Sequence, residues 1–217
     1  MLRLIVTNLN YSSWSMRPWL ALHHAGAEFR TMDVRMFVAP DWKDRILQFS
    51  GAGKVPVLVD GSLTLHESLA ICEYIAEKFP EARLWPEDQE LRARGRALSA
   101  EMHAGFSALR SAMPTNLRGR GSRRTLSPEV QADIARIEDI FEASLSTSPG
   151  DFLLGDFGIV DCMYFPILTR FRTYGIPLEP LAARYSERMF SLPIVQKLEE
   201  LARTTETVEK YESVLRD

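Results

Sequence analysis

The sequence predicts an α/β plus all-α fold: a small βαβ–ββα unit followed by an all-helical one. Three observations predict it. Short apolar runs that read as strands occur only in the first 80 residues. There they alternate with helical patterns, an order that implies parallel pairing at the start and a hairpin later. Beyond a proline-bounded stretch every apolar pattern has helical spacing.

The elements follow in order. Leu2 to Thr7 reads as a buried strand, and Asn8 to Ser13 as a polar turn. A helix from about Ser15 to Ala25 comes next, with Pro18 in its first turn, where a missing N–H costs little. Gly26 stands where a helix is often closed in the left-handed conformation. Phe29 to Val34 is the second strand, and Asp41 to Phe49 a short helix. Val57 to Val59 and Ser62 to Leu65 flank Asp60-Gly61, a strong hairpin signal. Glu67 to Phe79 is amphipathic, with Leu69, Cys72, Ile75, Ala76 and Phe79 on one stripe. Residues 81–86 are read as a linker between domains 1–80 and 87–217, with Leu84-Trp85 as an apolar plug. Glu87 to Ala112 reads as one long helix. Val130, Ile134, Ile137, Phe141 and Leu145 mark another, Gly158 to Thr173 and Pro193 to Thr204 two more, and Leu181 to Arg188 a shorter one.

Composition narrows the classes. The chain has 217 residues, 46% of them hydrophobic, enough for a sizeable core. With 26 Lys+Arg against 29 Asp+Glu the net charge is −3, so nothing draws the chain to nucleic acid, which is bound through clustered cations. Two cysteines far apart, Cys72 and Cys162, make neither a disulfide framework nor a metal cluster, so no metal is expected. That usage fits a reducing compartment, and a cytoplasmic location is expected. No apolar run reaches the ~20 residues that span a bilayer, so no membrane role is expected. The N-terminal run is β-like and does not read as a signal peptide.

Three features carry candidate chemistry. Tyr11 to Pro18 joins the first strand to the first helix. A helix N-terminus offers unpaired N–H groups and about half a positive charge, so an anion there is stabilised, and a capping hydroxyl adds a directed hydrogen bond. Ser12, Ser13 and Ser15 can each be that hydroxyl, or merely an N-cap. Lys54-Val55-Pro56 precedes the third strand. A cis proline there would turn the preceding backbone outward toward an extended ligand, whereas a trans proline would simply open the strand. Glu67-Ser68 begins the third helix, where a carboxylate ligand would meet N–H groups and a hydroxyl while Glu67 faces an amino group. The plainer alternative is helix capping with an acid in the first turn.

Taken together, Ser-Ser-Trp-Ser-Met-Arg at 12–17, Val55-Pro56, Glu67-Ser68-Leu69-Ala70-Ile71 and the run Gly155 to Asp161 resemble the cytosolic glutathione S-transferases over the whole chain. The first motif is similar to the serine-type sites of the zeta class, Ser-Ser-x-Ser-x-Arg. The longer string through Pro18-Trp19 resembles a bacterial-type branch. The resemblance implies a thioredoxin-like first domain, a helical second domain, glutathione as co-substrate and a homodimer joined through the fourth helix and the segment after the hairpin. It implies that Ser12 hydrogen-bonds the glutathione sulfur, with Ser13 and Ser15 as runners-up. Val55 beside Pro56 would pair with the cysteinyl backbone, Glu67 and Ser68 would hold the γ-glutamyl end, and Lys54 would reach the glycine carboxylate. Trp14, His103, Phe106, Arg110, Met113 and Asn116 are candidates for the electrophile side by position. Arg17 is read as a brace. Arg118, Arg120, Arg123 and Arg124 form either a solvated loop or an attraction for anionic electrophiles. The zeta pattern carries Cys where this chain has Trp14, which sets a bulky ring beside the sulfur. Gly158 and Asp161 would cap a helix as a folding element. The implied activity is a glutathione transferase; a maleylacetoacetate-isomerase-like enzyme and a non-catalytic binding protein of the same fold are the alternatives.

Overall fold

The computed structural model describes residues 1–121 and 125–215. Its strands are β1 (Leu2–Val6), β2 (Phe29–Asp33), β3 (Val57–Asp60) and β4 (Leu63–His66), in the order β2-β1-β3-β4. β1 runs parallel to β2 and antiparallel to β3, with Leu4 opposite Leu58 and Ile5 opposite Val57. β3 and β4 form the hairpin that Asp60-Gly61 predicts, and Gly61 takes the left-handed conformation the turn requires (φ 59°).

The strand period of two divides the apolar residues between two faces. Leu2, Leu4, Val6 and Leu58 join the main core, against α1 (Ser13–His24) and α3 (Ser68–Lys78). Ile5, Val57 and Val59 face the other way and pack with Val34 and Ile46, the latter on α2 (Trp42–Leu47). The central strands are thus covered on both sides.

Every later element among the described residues is helical: α4 (Gln89–Ala104), α5 (Ser107–Ala112), α6 (Pro128–Leu145), α7 (Ile159–Tyr174), α8 (Pro180–Ser191), α9 (Pro193–Thr204) and α10 (Glu209–Glu212), with a 3-10 turn at each of Pro80–Ala82 and Ser213–Leu215. α7 is the axle. It is buried along nearly its whole length and packs against both α1 and α4. Gly95 lets α4 come close, because a Cβ there would lie 2.8 Å from both Leu154 and Trp85 and 3.2 Å from Val160. Gly158 N–H donates to Asp161 Oδ2 at 2.9 Å, so the capping arrangement forms with glycine at its head. One hydrophobic cluster runs from β1 and α1 through α7 to α9. No described helix is long and apolar enough to cross a membrane.

Two local expectations change, and one segment carries no expectation. α1 begins at Ser13, so Pro18 falls inside the helix, where it removes one backbone hydrogen bond. The long helix Glu87 to Ala112 is two helices. Gly105 is extended and Phe106 left-handed (φ 59°), and the break is stitched by side chains. Arg110 Nη1 donates to the carbonyls of His103 and Gly105, and Leu109 N–H donates to Asp133 Oδ2 on α6. After Thr204, where the sequence shows no periodic pattern, the chain folds back over the first loops.

Candidate active site

A cleft of about 720 Å³ lies between the two halves. Ser12, Ser13 and Trp14 enter it from the start of α1, Lys54, Val55 and Pro56 from the approach to β3, and Glu67 from the start of α3. His103 and Arg110 come from the helical half. The features the sequence singles out therefore converge on one space, although they are spread over more than 50 residues of chain.

At the head of α1, Ser12 is the N-cap. Its Oγ accepts from Ser15 N–H at 3.3 Å and donates to Ser15 Oγ at 2.8 Å. Ser15 Oγ in turn accepts from Thr7 N–H at 3.4 Å. Ser12 is half-buried on the cleft wall, whereas Ser15 is fully buried and off it. Geometry thus separates two of the three serines: Ser12 faces the space and Ser15 supports it. Ser13 is on the wall too, nearly buried.

The Val55–Pro56 bond is cis. Glu67 precedes α3 with φ 72° and ψ 123°, a conformation that costs a non-glycine residue about 1–3 kcal/mol and recurs at functional sites. Its carboxylate lies 3.4 Å from His103 Nε2. Ser68 is fully buried at the first position of α3 and is not part of the wall; its Oγ has no hydrogen-bond partner.

Trp14 is held among cations. The guanidinium carbons of Arg17 and Arg110 each stand 4.3 Å from its ring centroid, and His103 meets its edge at 5.1 Å. Arg17 is 1% exposed, and its Nε and Nη1 have no partner. Burial, with the charges of Arg110 and Arg170 behind it, pulls its pKa down to about 9. Arg170 is 4% exposed and is likewise pulled down to about 9 by burial and then by Arg110. It donates to the carbonyls of Met113 at 2.8 Å and Pro166 at 3.1 Å, and it lines the cleft. Burial also lowers the pKa of His103, with Arg17 adding to the effect, so the ring is neutral at neutral pH.

Other expected residues lie elsewhere. Phe106 and Met113 are core residues and do not line the cleft, because the break after α4 turns Phe106 inward. Asn116 is fully buried off the wall, where its Oδ1 accepts from Asn10 Nδ2 at 2.8 Å. Arg118 is a tether, with bonds to the carbonyls of Ala202 and Thr205 and to the Tyr11 hydroxyl. Arg120 bonds the carbonyls of Leu117 and Gly119. Arg123 and Arg124 lie outside the described residues.

Residues 11–78 match the family model for the glutathione S-transferase N-terminal domain, and residues 89–188 the model for its C-terminal domain. The chain belongs to the glutathione S-transferase family. Among curated relatives it is 26% identical over 184 residues to a probable maleylacetoacetate isomerase of Caenorhabditis elegans, covering 83% of this chain and 85% of that protein. It is 28% identical over 191 residues to a zeta-class glutathione S-transferase of Euphorbia esula, covering 85% and 84%. A glutathione transferase homolog from Burkholderia, solved with bound glutathione, superposes with a TM-score of 0.73 at 24% identity, covering 94% of this chain and 99% of that one.

Within this glutathione S-transferase fold, sequence reasoning missed Tyr11, Thr115, Arg170, Val208 and Tyr211 on the wall. Tyr11 was within reach, because it adjoins Ser12 in the motif. Thr115 is 2% exposed and its Oγ1 has no partner. Its position follows from the break after α4, for which Gly105 is the only local signal. Tyr211 arrives from the C-terminal segment and stacks on Tyr11 at 4.9 Å, a contact between opposite ends of the chain.

Proposed function

We propose that the protein is a glutathione transferase that lowers the pKa of the glutathione thiol at Ser12 and directs the thiolate at a small electrophile held against Trp14, His103 and Arg110. One observation carries this reading. A helix N-terminus with a wall-facing hydroxyl shares a single cleft with the main chain of Val55 before cis Pro56 and a carboxylate at Glu67.

The energetics are adequate. A free thiol titrates near about 8.5, and lowering that to about 6.5 takes about 2.7 kcal/mol. A charge-assisted hydrogen bond supplies about 1.5–3 kcal/mol and the helix N-terminus about 0.3–1 kcal/mol more. The Ser12–Ser15 contact need only reverse its donor: Ser15 Oγ–H then donates to Ser12 Oγ, which frees the Ser12 proton for sulfur. Val55 main chain would pair with the cysteinyl unit and Lys54 would reach the glycine carboxylate. Glu67 would face the γ-glutamyl ammonium, and the carboxylate of that glutamyl unit would meet the head of α3, where the buried Ser68 Oγ has no partner and would turn outward to it. With an aryl halide, sulfur bonds to the ring carbon, the carbon–halogen bond breaks, halide leaves, and the thiol proton passes to solvent.

An isomerase is the second reading, supported by the likeness to the nematode protein. There glutathione adds to the substrate and leaves again unchanged. A homodimer is the proposed assembly in either case.

Glutathione binding and turnover with an aryl halide, beside a cis-enedione acid, test the reading. Wild type should bind glutathione and convert one of the two; failure to bind it would overturn the proposal. Ser12→Ala should leave glutathione bound, raise the pKa of its thiol by about one to two units, read from thiolate absorbance, and cut kcat/KM about 10- to 100-fold. An unchanged thiol pKa would move the role to Ser13 or to backbone N–H groups.

A further inference from the structure

The helical end of the cleft holds more positive charge than the protein neutralises. Arg110 and Arg170 line it and Arg17 stands behind Trp14. Among the described residues none of the three has a carboxylate within ion-pairing distance; Glu67, the acid on the same wall, sits 3.4 Å from the neutral His103 ring and pairs with none of them. The guanidinium protons shown bonded go to carbonyls, which satisfy hydrogen bonds but do not balance charge. A buried charge without a counter-charge is costly, and protein interiors normally supply a partner. Thr115 lines the same cleft, 2% exposed, with a hydroxyl that bonds to nothing. Buried hydroxyls are usually paired, so this one marks a missing acceptor.

Two planar cations and one unpaired hydroxyl donor suit a planar, singly charged acceptor, which guanidinium groups recognise with directed bonds. Around them the wall is apolar and flat: Trp14, Pro114, Val208 and Tyr211. We propose that Arg110, Arg170 and Thr115 form a carboxylate subsite at the helical end of the cleft, so that the electrophile handled here is a small, flat, apolar carboxylic acid. The inference rests on the transferase reading for its chemistry but not for its binding.

The experiment pairs 4-chloro-3-nitrobenzoate with its neutral carboxamide, each rate divided by the uncatalysed rate with glutathione. Equilibrium binding of 3-nitrobenzoate and 3-nitrobenzamide, which cannot react, is measured in parallel. Wild type should favour the carboxylate at least 10-fold in both readouts. Arg110→Gln and Thr115→Val should each lower that ratio, the first to within about two-fold of unity, and Arg110→Lys should restore part of it. Equal use of acid and amide by wild type overturns the subsite and leaves the transferase standing. Selective binding of the acid without turnover of either halide does the reverse. A ratio that survives both Arg110→Gln and Thr115→Val, or a rise in the glutathione KM in place of a fallen ratio, assigns these groups elsewhere and also overturns it. Circular dichroism of each variant guards against misfolding.

Discussion

Ser12 does not act alone. In the structure Ser15 Oγ accepts from both Thr7 N–H and Ser12 Oγ. Once the Ser12–Ser15 bond reverses, as in the proposed glutathione complex, Thr7 N–H, Ser15 Oγ and Ser12 Oγ form a donor chain that ends on the cleft wall. Each donor in such a chain polarises the next. Ser15 also supplies the N–H that Ser12 caps, so it fixes the orientation of the Ser12 hydroxyl as well as its polarity. Ser15→Ala keeps that N–H and removes only the relay. It should raise the bound thiol pKa by roughly half of what Ser12→Ala does, with glutathione affinity changed less than about three-fold. Serine-to-alanine at Ser15 with no effect on the thiol would show that the relay carries nothing. The motif residues were legible because their positions are set inside a single strand–helix or loop–strand junction, as with Ser12, Val55 and Glu67. Phe106 and Met113 were misplaced for the opposite reason. Their facing depends on whether α4 continues past Ala104, and Asp133 on another helix helps to stop it.

The same contrast holds for whole elements. Strands and long helices were readable because a period of two or of 3.6 is a local property. The C-terminal segment has no such signature: α10 spans Glu209–Glu212 and contributes Tyr211 to the cleft. What holds it is distant. The Tyr11 hydroxyl donates to Glu212 and accepts from Arg118 Nη2 at 3.0 Å and from Val208 N–H at 3.3 Å. Asn8 Nδ2 reaches Glu206 O at 2.8 Å, and Arg35 Nε bonds Glu206 at 3.0 Å. Tyr11 is thus the hub of a strap that closes one side of the cleft. Tyr11→Phe removes the hub but keeps the ring that stacks on Tyr211. Hydrogen exchange across residues 205–215 should accelerate at least 10-fold, while global stability falls by only about 1–2 kcal/mol in urea. Exchange that stays slow there would mean that the remaining contacts hold the strap unaided.

At the scale of the molecule, the two halves meet on α7, and the head of α7 depends on one buried acid. Asp161 is 1% exposed and accepts from Leu153 N–H at 3.2 Å, Gly158 N–H at 2.9 Å and the Tyr185 hydroxyl at 2.9 Å. It therefore joins the loop before α7 and the face of α8 to the axle of the fold. Burial outweighs those three donors and pushes its carboxyl up from 3.8 to about 6. Because the folded pKa lies above the unfolded one, the native state holds the proton more tightly. Asp161's contribution to stability is then full below about pH 4 and shrinks as the pH rises toward 6, by up to about 3 kcal/mol. Asp161→Asn cannot ionise, so it lacks this dependence and keeps a fixed cost for its mismatched donors. Urea denaturation of both proteins should show a wider stability gap at about pH 4.5 than at about pH 7.5. A gap that widens toward neutral pH would mean that the donors win over burial, with the carboxylate held ionised in the fold. Either outcome bears on the cleft, since α7 carries both Asp161 and Arg170, and a loosened helix head would shift the guanidinium along with it.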